Sequence, residues 1–268
     1  MLRRKSLLER WIQGDSASPH LFIVGGTGVG KTTLTRKIVL YLCAHAHNVA
    51  VLDFDGEYLT LPLEIVEPPF PVNIPSLSFL GWLLTQAARP EEGGFATAAL
   101  LEYFEEDADL DQIAAKIRHD ITLPANVRYA LLWRINVFRK HFTVSARAEN
   151  NGNRVFNLSR ILSIRERQIV QQLLLSYIIV NSNNYTWLVI EEAQPGPWLS
   201  DISMLARRHG KRLILVSQRF PDDPQNYEVL IFTPYPVDTR RLPLPVNPIF
   251  DRGIWWIGRL GIHRVRLG

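Results

Sequence analysis

Residues 20–34 read His20-Leu-Phe-Ile-Val-Gly-Gly-Thr-Gly-Val-Gly-Lys-Thr-Thr-Leu34. Leu21, Phe22, Ile23 and Val24 form an apolar strand that stops at Gly25, and Gly25 to Thr32 satisfies Gly-x-x-x-x-Gly-Lys-Ser/Thr with a helix-forming run behind it. A triphosphate is wrapped by backbone N–H groups only where side chains leave room, and Gly25, Gly26, Gly28 and Gly30, with Thr27 and Val29 between them, supply that room. The helix opening near Lys31 aims its positive dipole end at the phosphates. Lys31 adds a mobile point charge, the Thr32 hydroxyl is a ligand for Mg²⁺, and Thr33 completes the cradle.

Working outward, a helix over about 32–45 leads to a second strand, Val49-Ala-Val-Leu-Asp53, which runs into Phe54-Asp-Gly-Glu-Tyr58. Strand, helix and strand at this spacing predict a right-handed βαβ unit, with Asp53, Asp55 and Glu57 near the phosphates at the carboxyl ends of the strands. Farther on, the apolar run Tyr185-Thr-Trp-Leu-Val-Ile190 ends in Glu191-Glu192. An acid pair at the end of a buried strand is the partner a phosphate cradle needs: Glu191 to hold the Mg²⁺ shell through water, Glu192 to act as general base on the attacking water. Arg212-Leu-Ile-Leu-Val-Ser217 is another strand, and it ends in Gln218, whose amide can bond both phosphate and water and so sense loss of the γ-phosphate. Cradle and acid strand stand about 160 residues apart with a further strand between, an arrangement that favours a RecA-like sheet over a simple nucleotide kinase.

The flanks are less specific. Residues 1–14 predict an amphipathic helix, with Leu7, Leu8, Trp11 and Ile12 opposite Arg3, Arg4, Lys5 and Arg10, and residues 15–19 a connector. Such a helix packs on its own domain or a neighbouring subunit, or touches DNA or a membrane surface. From residue 62 to 153 the pattern turns mainly helical after a Pro-rich passage, with helices over about 77–88, 95–104, 110–118 and 125–142 and a polar loop over 144–153. Arg128, Arg134, Arg139, Lys140 and His141 on the last of these helices face either DNA or solvent. His45 and His47, at i, i+2 without a carboxylate cluster, read as exposed histidines rather than a metal site.

The whole chain of 268 residues, 47% hydrophobic, is long enough for one large α/β domain or two small ones. A net charge of +4 permits a nucleic-acid partner without demanding one. Cys43, the single cysteine, fits a reducing, cytoplasmic setting. The absence of any apolar run near 20 residues argues against integral membrane association.

Five stretches together resemble the HerA/FtsK superfamily of hexameric DNA-pumping ATPases, and HerA in particular: 20–32, Val51-Leu-Asp-Phe-Asp-Gly-Glu-Tyr58, Val155-Phe-Asn-Leu-Ser159, Val189-Ile-Glu-Glu-Ala193, and 207–219. Gly253-Ile-Trp-Trp-Ile-Gly-Arg259 and Val265-Arg-Leu267 are similar to the closing strands of a HerA motor core. The resemblance implies an α/β, RecA-like P-loop core with a helical insertion, ATP and Mg²⁺ as cofactors, a homo-oligomer that is a hexamer, and double-stranded DNA gripped without sequence choice. It also implies an arginine finger at Arg207, with Arg208 second. The sequence departs from the family pattern at Glu191, where Asp is usual, at Gln194, where HerA usually has His, and at Phe220, where Pro is usual. The 19 residues ahead of His20 cannot hold HerA's β-barrel, so a stripped motor is expected. A nuclease partner in end resection and a capsid or portal-type partner in viral or mobile-element DNA packaging both suit such a motor, and a non-motor ATP switch or scaffold is the reading from another class. Basic residues of the insertion and of the Arg240-Arg241 turn are the candidate DNA contacts.

Overall fold

The computed structural model describes residues 6–265 apart from 15, 17, 88–100, 105–108, 146–151, 183, 234–252 and 259–260. The predicted helix 95–104 and loop 144–153 therefore lie largely outside the described residues, and Arg240-Arg241 wholly so.

Four apolar runs of the sequence become the centre of the sheet: β1 (Leu21–Val24), β2 (Val49–Asp53), β7 (Trp187–Ile190) and β8 (Arg212–Ser217). β1 and β2 are buried at every position, as parallel strands covered on both faces must be. With β3 (Glu64–Val66), β6 (Arg154–Asn157), β9 (Glu228–Thr233), β10 (Gly253–Gly258) and β11 (Gly261–Val265), they form a nine-stranded sheet in the order β11-β10-β9-β1-β8-β7-β2-β6-β3. Pairing is parallel from β9 to β3 and antiparallel for β10 and β11. β4 (Phe70–Val72) and β5 (Phe142–Val144) form a separate two-stranded pair, so Val144 belongs to a strand rather than to the expected loop.

The alternation along each strand divides the core in two. Phe22 and Val24 face one apolar layer, which includes α3 (Leu77–Thr85), α4 (Leu110–His119), α5 (Ala125–His141), α6 (Ile164–Asn181) and α7 (Pro197–Arg208). Leu21 and Ile23 face the other, with α1 (Leu7–Ile12) and α2 (Lys31–Ala44). The described start of the chain is shorter than predicted: Ser6 caps α1 in a capping box with Glu9, and residues 1–5 lie outside the described residues. Trp11 is fully buried and meets Trp187 edge-on at 5.1 Å, so this helix packs on its own domain.

Two of the basic residues on α5 turn inward, against expectation. Arg134 and His141 are 1% and 6% exposed, so neither is placed to face DNA. They lie with Val127, Leu131 and Phe138 at alternating four- and three-residue steps, the buried stripe of α5. His141 sits 2.9 Å from Glu166, which also takes Lys140 at 2.7 Å, while Arg139 pairs with Asp111 and Arg128 donates to the Asp120 carbonyl.

Candidate functional site

The registers bring four strand ends to one edge. Val24 pairs with Ser217, Leu215 with Ile190, and Ile190 with Leu52, so Gly25, Gln218, Glu191 and Asp53 follow one another along the carboxyl edge of the parallel sheet. At Gly25 a Cβ would stand 2.7 Å from the Phe232 Cβ and 2.9 Å from Val29, too close for any side chain. Gly30, at φ 98°, supplies the left-handed turn into α2. Lys31 is buried beneath this loop and donates to the Gly26 carbonyl at 2.8 Å. Burial lowers its pKa, while Glu192, Glu191 and Glu57 pull it upward.

Two chains of contacts meet at the cradle. In the first, the Thr27 hydroxyl donates to Gln218 Oε1 at 3.3 Å and Gln218 Nε2 donates to the Glu192 carboxylate at 3.1 Å. Glu192 has φ 50°, a left-handed conformation that costs a non-glycine residue about 1–3 kcal/mol and is held by the surrounding structure. In the second, Thr32 donates to Glu57 at 2.6 Å, and Tyr58 donates to the buried Glu191 carboxylate. Burial raises the Glu191 pKa to about 7, helped by the charges of Glu57, Asp53 and Glu192 and opposed by the Tyr58 hydrogen bond. Asp53 serves as the turn's anchor: its carboxylate accepts the backbone N–H groups of Gly56, Glu57 and Tyr58 at 2.9–3.0 Å, which presents Glu57 to Thr32. Asp55 instead pairs with Arg167.

Of the residues singled out in the sequence, Gly25 to Thr33, Glu191, Glu192 and Gln218 thus lie together. Arg207 does not join them. It is exposed in the last turn of α7, beside His20 and Ser203 at the amino edge of the sheet, so it cannot meet the cradle of its own chain. Tyr58 and the Thr27–Gln218 link were missed, since nothing in their local sequence reports a contact made 133 or 191 residues away. Among the described residues no group of three or more His, Cys, Asp or Glu is arranged to hold a metal. No helix is long and apolar enough to cross a membrane.

The solved structure of VirB4 of Thermoanaerobacter pseudethanolicus superposes with a TM-score of 0.67 at 14% identity, covering 95% of this chain and 91% of the other. The bacterial conjugative coupling protein TrwB, lacking its first 70 residues and in complex with sulphate, gives 0.59 at 14% identity, covering 95% and 86%. TrwB in complex with the GTP analogue GDPNP gives 0.61 at 13% identity, covering 95% and 86%. At such identities the likeness carries the fold, a RecA-like P-loop core. No curated protein matches this chain. The model of the family described as "Helicase HerA, central domain" matches residues 12–178, more than half of the sequence. The chain belongs to that family, and is a P-loop ATPase of the HerA/FtsK type.

Proposed function

We propose that this chain is the subunit of a six-membered ring that hydrolyses ATP to drive double-stranded DNA through a central channel, in end processing beside a nuclease or in DNA packaging and transfer beside a capsid or portal-type protein. The observation that carries the catalytic part is the convergence of the Gly25–Thr33 cradle with Lys31, Glu192 and Gln218 at one sheet edge. The DNA-pumping part rests on membership of the HerA family. Residues 62–153 act as an insertion within one ATPase domain, and the chain works in the cytoplasm.

In this reading Lys31 exchanges the Gly26 carbonyl for the β- and γ-phosphates. Glu192 accepts a proton from water as the water oxygen bonds to the γ-phosphorus. The bond from that phosphorus to the β–γ bridging oxygen breaks, and its electron pair leaves with ADP. Gln218 holds the Glu192 carboxylate in place and, through Thr27, registers departure of the phosphate. The Thr32 hydroxyl and the Glu191 carboxylate, with Glu57 on Thr32, are hard oxygen donors suited to Mg²⁺, which takes one or two carboxylates and completes its shell with phosphate and water. Bound there, Mg²⁺ neutralises charge on the phosphates. Arg207 reaches the γ-phosphate of a neighbouring subunit, where a guanidinium that stays protonated can fork onto two oxygens.

The test is displacement of a triplex-forming oligonucleotide from a duplex by the purified chain with ATP. Displacement that requires ATP and occurs on duplexes of unrelated sequence supports a motor. Hydrolysis without displacement on any duplex would overturn it.

A further inference from the structure

Tyr58 ends the turn that follows β2, and its ring is fully buried in the apolar layer of α1 and α2, with Leu34, Ile38, Val51 and Val189. A phenylalanine would fill that space with no polar atom, whereas a buried hydroxyl costs free energy unless it is bonded. The Tyr58 hydroxyl donates to Glu191 Oε1. We propose that Tyr58 is a positioning residue for ATP hydrolysis, holding the Glu191 carboxylate where Mg²⁺ needs it. That role rests on the assignment of Thr32 and Glu191 to the metal and adds what keeps the acid in place.

Glu191 is tied at three points. Its N–H bonds the Leu52 carbonyl at 3.4 Å, its own carbonyl accepts Gln171 Nε2 at 2.7 Å, and its carboxylate accepts Tyr58. The first two fix the backbone. The carboxylate lies three rotatable bonds farther out, so without a partner it has rotamers to explore, and among the described residues the hydrogen bond that restrains it comes from Tyr58.

The donor is itself fixed. Asp53, fully buried at the end of β2, accepts the Tyr58 N–H at 2.9 Å together with those of Gly56 and Glu57. Arg167 pins the other side of the turn, donating to the Phe54 carbonyl and to Asp55 at 2.9 Å. The buried Thr35 of α2, one helical turn beyond Thr32, sets its hydroxyl beside that of Tyr58. Adjacent residues of one turn therefore serve the two protein oxygens assigned to the metal: Glu57 accepts from Thr32 at 2.6 Å, and Tyr58 donates to Glu191. Partners that orient a metal-holding carboxylate in this way are worth about 10–100-fold in metal affinity.

The experiment is titration calorimetry of the full chain with the non-hydrolysable β,γ-methylene analogue of ATP, in Mg²⁺ and in EDTA. The ratio of the two affinities is the metal response. Tyr58→Phe keeps the ring and loses the hydroxyl, so it should match the wild type in EDTA within about twofold and lose about tenfold or more of the metal response. A tyrosine that only supported the fold would lower thermal stability and leave that ratio alone. A wild-type metal response in Tyr58→Phe, or an equal loss with and without Mg²⁺, would overturn the proposal. Should Tyr58→Phe fail to fold, the comparison is made between Glu191→Gln and the double variant Glu191→Gln with Tyr58→Phe, which carry no buried charge at that position. Removing the hydroxyl should change nothing further there, and a further loss of metal response would mean that Tyr58 acts on another group. A wild-type chain that binds the analogue in neither condition would overturn the nucleotide reading itself. Binding that ignores Mg²⁺ would overturn the assignment of Thr32 and Glu191 to the metal, and the role of Tyr58 with it.

Discussion

The two edges of the sheet treat their polar side chains differently. At the amino edge they are matched to one another. The Leu213 N–H donates to His20 Nδ1 at 3.1 Å, leaving Nε2 to bond the Ser203 carbonyl at 2.9 Å, and Arg212 caps the carbonyls of Trp11 and Ile12 at 2.6 Å with its guanidinium 4.9 Å from the ring centre of Trp11 and 4.3 Å from that of Trp187. Lys211 donates to the carbonyls of Ser182 and Tyr185. At the carboxyl edge three carboxylates, of Glu57, Glu191 and Glu192, gather about one buried lysine, one of them with its pKa raised and another on a strained backbone. At the amino edge the polar groups are turned on the protein's own carbonyls and N–H groups, whereas at the carboxyl edge like charges gather beside an open glycine loop, where a cation or phosphate-bound ligand can meet them. The difference marks the carboxyl edge as the place of chemistry and the amino edge as scaffold, with exposed Arg207 as its outward-facing exception.

Substitutions sharpen this contrast in order of size. Glu192→Gln keeps the shape and loses the base, so it should bind ATP while turnover falls about 10²–10⁴-fold, measured by phosphate release. If Glu191→Gln shows that phenotype and Glu192→Gln does not, the two acids exchange roles. Lys31→Ala should lower hydrolysis by at least about a hundredfold with thermal unfolding unchanged, because it removes a charged contact to the phosphate and no apolar packing.

The amino edge should respond in stability rather than rate. Burial lowers the His20 pKa from 6.5 to about 4, with the nearby Arg207 and Arg212 charges adding to the shift. Between those values the unfolded chain binds the proton and the folded chain does not, so stability present above pH 6.5 is lost as pH falls toward 4, on the order of 3 kcal/mol. Glu191, raised by burial from 4.5 to about 7, stabilises the folded chain on acidification in the same window with the opposite sign, so the His20 contribution is read as a difference: in urea unfolding from pH 7 to 4.5, the wild type should lose more stability than His20→Asn. An equal loss in both would mean that His20 is not the group responsible.

The smallest effect tests the exception. Arg207→Ala and Lys31→Ala subunits, each inactive alone, should regain activity when mixed, to about a quarter of the wild-type rate if subunit borders act independently and assemble at random around a head-to-tail ring. Full activity of Arg207→Ala alone, or no recovery in mixed rings shown to form, contradicts a finger acting across the border.

Much of this contrast was legible before the structure. The central strands announce themselves as apolar runs ending in Gly25, Asp53, Glu191 and Gln218, and parallel pairing forces those ends to one edge. The helices Leu77–Thr85, Leu110–His119 and Ala125–His141 of the insertion follow from their spacing. The fate of Arg134 and His141 was legible too, since their steps from Val127, Leu131 and Phe138 place them on the buried stripe, yet their charge suggested a surface. What local sequence cannot show is which distant groups meet. The Tyr58 hydrogen bond to Glu191 and the Gln218 bridge from Thr27 to Glu192 depend on turns whose tertiary placement no periodicity encodes.

Whether the carboxyl edge hydrolyses ATP in order to move DNA is decided by steady-state ATP hydrolysis of the purified chain with and without double-stranded DNA. Turnover should rise with duplexes of any sequence, weaken with added salt as phosphate contacts are screened, and disappear in Lys31→Ala and Glu192→Gln. Turnover indifferent to DNA would contradict it and favour a nucleotide switch, and normal turnover in a well-folded Lys31→Ala protein would remove the carboxyl edge from the chemistry altogether.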